Sequence, residues 1–334
     1  EWEAATQRLM FNHQANAPSD DAQSLISELM EVDDPMKEYL HHSSEWDCGK
    51  RRLLNCRQHA FAAGEKLSTN QTLGLAERTL ALAARIQQPS ATSSDLRDFL
   101  DATAAIKHAD VFRLSENQRL AFFVNLYHLM LVHAFIVLGP PTSGLAWVSY
   151  FNTIAFQASD DIFSLSELEH NIIRCKMTYP SQFVSRFILP KSTYPFALSQ
   201  GDFRINFVLH SGSTSYPIAN VPTYRVETLD EQLSRTTADF LSKTVTLVQK
   251  GRQEISITLP KVCQWFAMDF GDGTANGILR TIGPYLCDDK QSILKSIWNE
   301  KSSKFDISSW SIKYLPFNFE CQNLKIEGTD DFEI

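Results

Sequence analysis

From Leu120 to Gly139 the chain runs through twenty residues without a single Asp, Glu, Lys or Arg. A stretch of this length can cross a bilayer, and it has no polar face to turn toward water. Asn125, His128 and His133 interrupt it, and each is costly in lipid. The expectation is therefore a fully buried core helix and no membrane span. Ser115-Glu-Asn-Gln118 has capping-box spacing and opens the helix, while Gly139-Pro-Pro141 stops it. A helix buried on every side needs neighbours on every side. With 334 residues, 43% of them hydrophobic, the chain can supply one large core or two modest ones.

The hydrophobic pattern around this helix predicts an α+β fold: a helical N-terminal region over residues 1–90, then a mixed domain over 91–334 with a small antiparallel sheet. In the first region Ser24–Met30 and Met36–Leu40 carry apolar patches at helical spacing. Asp47–Leu67 reads as a longer helix, and Leu- and Ala-rich Thr69–Ile86 as another. Gln88-Pro-Ser-Ala-Thr-Ser-Ser94 reads as a linker. Leu96–Ile106 follows as a helix with Asp95 as its N-cap. Ser164-Leu-Ser-Glu167 is a second capping box, opening a helix through Arg174 whose Leu165, Leu168 and Ile172 share one face. Phe203–Leu209 alternates apolar and polar residues, the period of a strand. Ile255/Ile257/Leu259 and Trp310/Ile312/Tyr314 suggest two more strands. Leu229–Gln249, Lys261–Met268 and Thr274–Cys287 read as helices.

The formal net charge is -8 and there is no basic tract, so a nucleic-acid partner is not expected. Cys48, Cys56, Cys175, Cys263, Cys287 and Cys321 form no CxxC pair, a pattern expected of reduced thiols in a cytoplasmic protein. Glu1-Trp-Glu-Ala-Ala has neither a basic n-region nor an apolar h-region and no initiator Met. The expectation is part of a longer cytosolic protein without a signal peptide here.

Three segments place polar side chains where a core alone would not ask for them. On the buried helix, Asn125 and His128 lie one turn apart. They could orient a reacting group, or satisfy buried backbone groups of an adjacent element. Glu169 and His170 are neighbours on a helix and diverge by about 100°, so a structural role for that pair is favoured, with Glu169 and Arg174 anchoring the helix through ion pairs. The expected strand places Arg204, Asn206 and His210 on one face, and Ser211-Gly-Ser-Thr-Ser-Tyr-Pro217 follows as a turn whose N–H groups could cradle an oxyanion. Ser211 beside His210 is a poor nucleophile–base pair, because adjacent strand residues face opposite ways. Asp269-Phe-Gly271 has the letters of the kinase magnesium motif without its companions and is set aside. His41-His42 has no ligand set around it.

Taken together in this order, Ala121-Phe-Phe-Val-Asn-Leu-Tyr-His128, Ser164–Arg174, Asp202–Pro217 and Tyr314-Leu-Pro-Phe-Asn-Phe319 resemble the family called domain of unknown function 547, over residues of about 92–320. The family's motifs read roughly A-F-W-I-N-L-Y-N-A-L, S-L-x-x-I-E-H-x-I-L-R and D-P-R-I-H-F-A-L-x-C-G-A-x-S-C-P, closing near Y-L-P-Y-D-W-S-L-N. Against that pattern the strand His is Asn206 here, the two turn cysteines fall at Ser211 and Tyr216, the helix Asn is His128 and the closing acid is Asn318. Glu169, His170, Arg174, Asp202 and Arg204 persist. Loss of the reactive types with retention of the frame implies a non-catalytic relative.

The function expected first is thus a non-catalytic protein-interaction or scaffold domain with a protein partner. The alternative is a hydrolase or transferase with a rearranged site of His128, Glu169, His170, Arg204, His210 and Ser211, in which His210 is the base. No cofactor or metal site is assigned; His128, His210 and Glu169 are the residues that could form one.

Overall fold

The computed structural model describes residues 47–48, 51–55, 65–181, 188–250, 254–299, 304–305 and 311–327. The expected helical patches at Ser24–Met30 and Met36–Leu40, His41-His42, Cys56 and Trp310 lie outside the described residues.

Two short strands come first, β1 (Asp47–Cys48) and β2 (Arg51–Leu53), where a helix from Asp47 was expected. α1 (Thr69–Ile86) matches its expected bounds, capped by Ser68 and Gln71. α2 (Ser93–Ala105) starts two residues before Asp95. Its N-cap is Thr92, and Asp95 is the N3 residue of a capping box. Gln87 and the turn after it join α1 to α2, and the Gln87 amide holds the backbone of Leu324 and Ile326. α3 (Glu116–Leu138) is the apolar helix. It opens on the Ser115/Gln118 capping box and ends at Gly139, whose φ of 73° a side chain would resist. By length and composition it could cross a membrane, but 83% of its most apolar window is buried inside this fold.

α4 (Gly144–Thr153) leads into a hairpin, β3 (Ile154–Ala158) and β4 (Asp161–Ser164), closed by Ser159 at φ 58°. α5 (Leu165–Glu167) continues as a π-helical stretch over Leu168–Ile173. The segment expected as the strand Phe203–Leu209 is instead one helical turn, α6 (Ile205–Val208). The period-two pattern misled because Ile205 through His210 are all buried, so alternation does not mark an exposed face there. The remaining elements are β5 (Asn220–Val221), α7 (Leu229–Thr244), β6 (Thr246–Lys250), β7 (Glu254–Leu259), α8 (Lys261–Trp265), α9 (Ala275–Ile282), α10 (Asp288–Ser296), β8 (Trp298–Asn299), β9 (Lys304–Phe305), β10 (Ser311–Tyr314) and β11 (Lys325–Ile326). α7 ends five residues before Gln249 because the chain turns into β6.

The α+β class holds, but the sheets are mixed rather than antiparallel. One sheet has the order β1-β2-β3-β4 with β2 and β3 parallel. Another has the order β10-β7-β6 with β10 and β7 parallel. Two apolar clusters fill the fold. The first gathers α1, α2, α3, the β3–β4 hairpin and α5 around Phe99, Phe122, Tyr127 and Phe163. The second gathers the end of α7, β7, α8 and α9 around Phe240, Ile257, Phe270 and Ile278. α7 serves both, with Leu229 and Leu233 in the first and Phe240 and Leu241 in the second.

Candidate functional site

The polar residues singled out in the sequence are distributed between the first core and its seam with the second. On α3, the Asn125 amide pairs with the backbone of Tyr224, donating to its carbonyl at 2.7 Å and accepting from its N–H at 2.8 Å. One turn on, His128 Nε2 accepts the N–H of His210 at 3.2 Å, and the ring stacks 6.2 Å from Tyr224. That bond places the ring proton on Nδ1, which has no hydrogen-bond partner although fully buried. Burial, then the neighbouring His210, push the His128 pKa down to about 3, so the ring is neutral at pH 7. His133, wedged edge-on between Phe99 and Phe156, is pushed down to about 3 by burial alone.

On the helix after Ser164, Glu169 accepts from the Tyr127 hydroxyl at 3.3 Å, and His170 Nε2 lies 3.8 Å from its other oxygen. His170 stacks on Tyr179, and burial lowers its pKa more than Glu169 raises it. The 3.8 Å approach is therefore a contact between an acid and a neutral ring rather than an ion pair. Arg174 pairs with Asp269 at 2.7 Å, with both side chains almost fully buried. Its other terminal nitrogen donates to Asn206 Oδ1 at 2.8 Å, and its guanidinium lies 3.7 Å over the Phe266 ring. Asp269 also accepts from the Thr178 backbone and hydroxyl and from the Asn206 amide. Asp269 is the residue that sequence reasoning missed. Its letters suggested an irrelevant motif, whereas the useful signal was one acid among Phe266, Ala267, Met268 and Phe270.

Because Asp202–His210 folds as a helical turn, its polar residues diverge. Arg204 grips Asp202 through two nitrogens and reaches Ser234 and Asp230 on α7, away from the seam. Those acids hold its pKa above the usual arginine range, against the opposing effect of burial. Asn206 turns to Arg174 and Asp269. His210 Nδ1 accepts the Gly212 N–H at 2.9 Å, leaving the ring proton on Nε2. Burial pushes the His210 pKa down to about 4.

The following turn is stitched inward. Gly212 N–H goes to His210, Thr214 N–H to the Glu320 carbonyl at 2.9 Å, Ser215 N–H to the Ser213 hydroxyl at 2.9 Å and Tyr216 N–H to the Ser213 carbonyl at 3.0 Å. Four of the N–H groups that could cradle an oxyanion are thereby occupied. Ser211 Oγ is buried and has no hydrogen-bond partner, so no base polarises it. Gly212 sits at φ 83°, and a Cβ there would meet the Phe135 ring at 2.6 Å, so the turn can lie on α3 only with glycine at this position.

Thus His128 meets His210, and Glu169 meets His170 and Tyr127, while Arg204 and Ser211 stand apart from both. Among the described residues no three His, Cys, Asp or Glu side chains converge as metal ligands.

The architecture around this seam is that of a mixed α+β domain. Residues 111–241 match the family model described as "Protein of unknown function, DUF547", so a DUF547 domain is present in this chain. The match takes in α3, the capping box at 164–167 and the 202–217 segment; the closing motif at 314–319 lies beyond it. Comparison with curated proteins and with solved structures gave no match.

Proposed function

We propose that this DUF547 domain is a non-catalytic protein-interaction domain, acting within a cytosolic protein. The observation that carries the reading is the inward stitching of the 211–217 turn: His210 Nδ1 and four of the turn's N–H groups are engaged within the turn or with Glu320, and Ser211 Oγ is buried with no base beside it. An external surface of suitable character lies nearby. Phe319, Phe317 and Trp265 form a run of rings with centroids 4.9 and 4.9 Å apart, seated on the buried Trp147, and Leu315 and Phe319 are 39% and 42% exposed. Aromatic anchors of this kind are enriched where partners bind.

A specific observation favours a second reading, a hydrolase or transferase with a rearranged site. Glu169 and His170 adjoin the Tyr127 hydroxyl and retain some access to solvent, at 20% and 10% of their side-chain surface. Electrophile labelling separates the two. The full chain would be treated with a fluorophosphonate and, at mildly acidic pH, with iodoacetamide. The interaction reading expects no fast modification of Ser211 or of any cysteine. It also expects the pair Leu315→Glu and Phe319→Ser to release a cross-linked partner without lowering the Tm. Rapid stoichiometric labelling of Ser211 would sink it.

A further inference from the structure

We propose that the cavity between α6, the 216–224 segment and α7 binds a small methylated ammonium ion. The cavity is about 150 Å³, the size of a dry engineered cavity that accommodates benzene. It therefore has room for a trimethylammonium group but not for a nucleotide or a peptide side chain with its backbone.

Its walls are aromatic: Phe207, Tyr216, Tyr224 and Phe240 all line it. The Phe240 ring lies 5.1 Å from Phe207 and 5.3 Å from Tyr216, with planes at 40° and 63°, so these three rings pack directly on one another and line the cavity as one aromatic wall. A cation against such faces is attracted by the ring quadrupoles.

The charges at the cavity point the same way. Arg235, Asp239 and Glu327 line it, giving one positive and two negative groups and a net of -1. Arg235 and Asp239 are 81% and 56% exposed and lie 4.0 Å apart, so their charges are solvated and offset one another, leaving Glu327 as the net charge. His210, also in the lining, is uncharged at neutral pH. An anion would be weakly repelled here and a cation weakly attracted.

Methylation follows from the hydrogen bonding. The Tyr224 hydroxyl is engaged with Thr236 at 3.1 Å, and the Tyr216 hydroxyl points to the Asn206 carbonyl at 3.5 Å. A primary ammonium brings three N–H donors, which against the ring wall would lose water and find carboxylate acceptors only at Asp239 and Glu327 on the rim. A methylated ammonium carries the charge without those donors. This inference is independent of whether the domain binds a protein partner.

The test is a titration of the full chain with choline, followed by amide NMR and calorimetry. Its neutral isostere 3,3-dimethylbutan-1-ol, phosphocholine and benzoate would be run in parallel. Choline is expected to shift signals of residues 216–224 and 232–240 saturably and to bind about tenfold tighter than the isostere. Phosphocholine is expected to bind more weakly, because its phosphate approaches Asp239 and Glu327. Phe240→Leu keeps apolar volume but removes a ring and should weaken choline about tenfold. Asp239→Asn with Glu327→Gln, on the exposed rim, should weaken it several-fold without affecting folding, and Arg235→Ala should tighten it. Equal binding of the isostere, tighter binding of benzoate or phosphocholine, or absence of saturable choline binding would overturn the proposal.

Discussion

Around α3, Asn125 fixes the Tyr224 peptide with two neutral hydrogen bonds. At the seam with the second core, Arg174 and Asp269 hold two elements together with a buried ion pair, completed by Asn206 and Thr178. The two junctions do the same job by different chemistry. A side-chain amide meeting a backbone peptide exchanges neutral bonds with water for neutral bonds within the protein, at small net cost. An ion pair must first overcome the desolvation of both charges, and burial does lower the Arg174 pKa despite its partners. The comparison teaches that the first junction is tolerant and the second brittle. Once both charges are inside, neither can be removed alone.

The largest effect should therefore come from Asp269→Ala, which strands the Arg174 guanidinium. Denaturant unfolding should show a loss of about 3–5 kcal/mol. A loss below about 1 kcal/mol would mean that water reaches Arg174 and that the seam is not brittle. Asn125→Ala should follow. It leaves the buried N–H and carbonyl of Tyr224 without their partner, but both are neutral and water can enter the space the amide vacates, so the loss should be about 1–3 kcal/mol. If it proves as damaging as Asp269→Ala, the distinction between the two junctions fails.

Acid sensitivity sharpens the comparison further. The folded-state pKa values of His128, His133 and His210 are about 3, 3 and 4, below the ordinary 6.5. The unfolded chain thus binds protons first. Stability from these rings is fully present above about pH 6.5 and falls as the pH drops toward their folded values. Each neutral ring should cost about 2 kcal/mol at pH 5 relative to pH 7. His133→Gln, which removes the one ring shifted by burial alone, should reduce the pH 7-to-5 loss in unfolding free energy by about that amount. An unchanged slope would contradict its burial. Ser211→Ala should have the smallest effect, within about 0.5 kcal/mol, because it deletes a hydroxyl that makes no bond. A marked loss of stability there would reveal a partner for Ser211.

Much of the frame was legible in the sequence. α1, the limits of α3, the capping box at 164–167 and the strands β7 and β10 follow from periodicity, capping residues and terminators, all of which act within a few residues. The hairpin β3–β4 was not legible. Ser159 takes the left-handed conformation there, where Asn-Gly would have announced the turn. α6 was misread because a segment buried on all sides has no polar phase to set its period. Of the candidate site, the residues were legible but their partners were not. Arg174 was expected to anchor its helix through an ion pair, but its partner, Asp269, lies 95 positions away and could not be named.

The sequence by itself pointed to α3 as an internal helix, since Asn125, His128 and His133 are each costly in lipid. It also determined where that helix begins and ends, and that a DUF547 pattern runs through the middle of the chain. Only the tertiary structure decided what the interruptions do. Asn125 reads a backbone 99 positions away, His128 takes the N–H of His210, and the turn after His210 is tied to residues 318–322. The physical reason is that burial is a property of a segment's own composition. A buried polar atom's hydrogen bond is a property of whichever distant atom the fold brings within 3 Å or so of it.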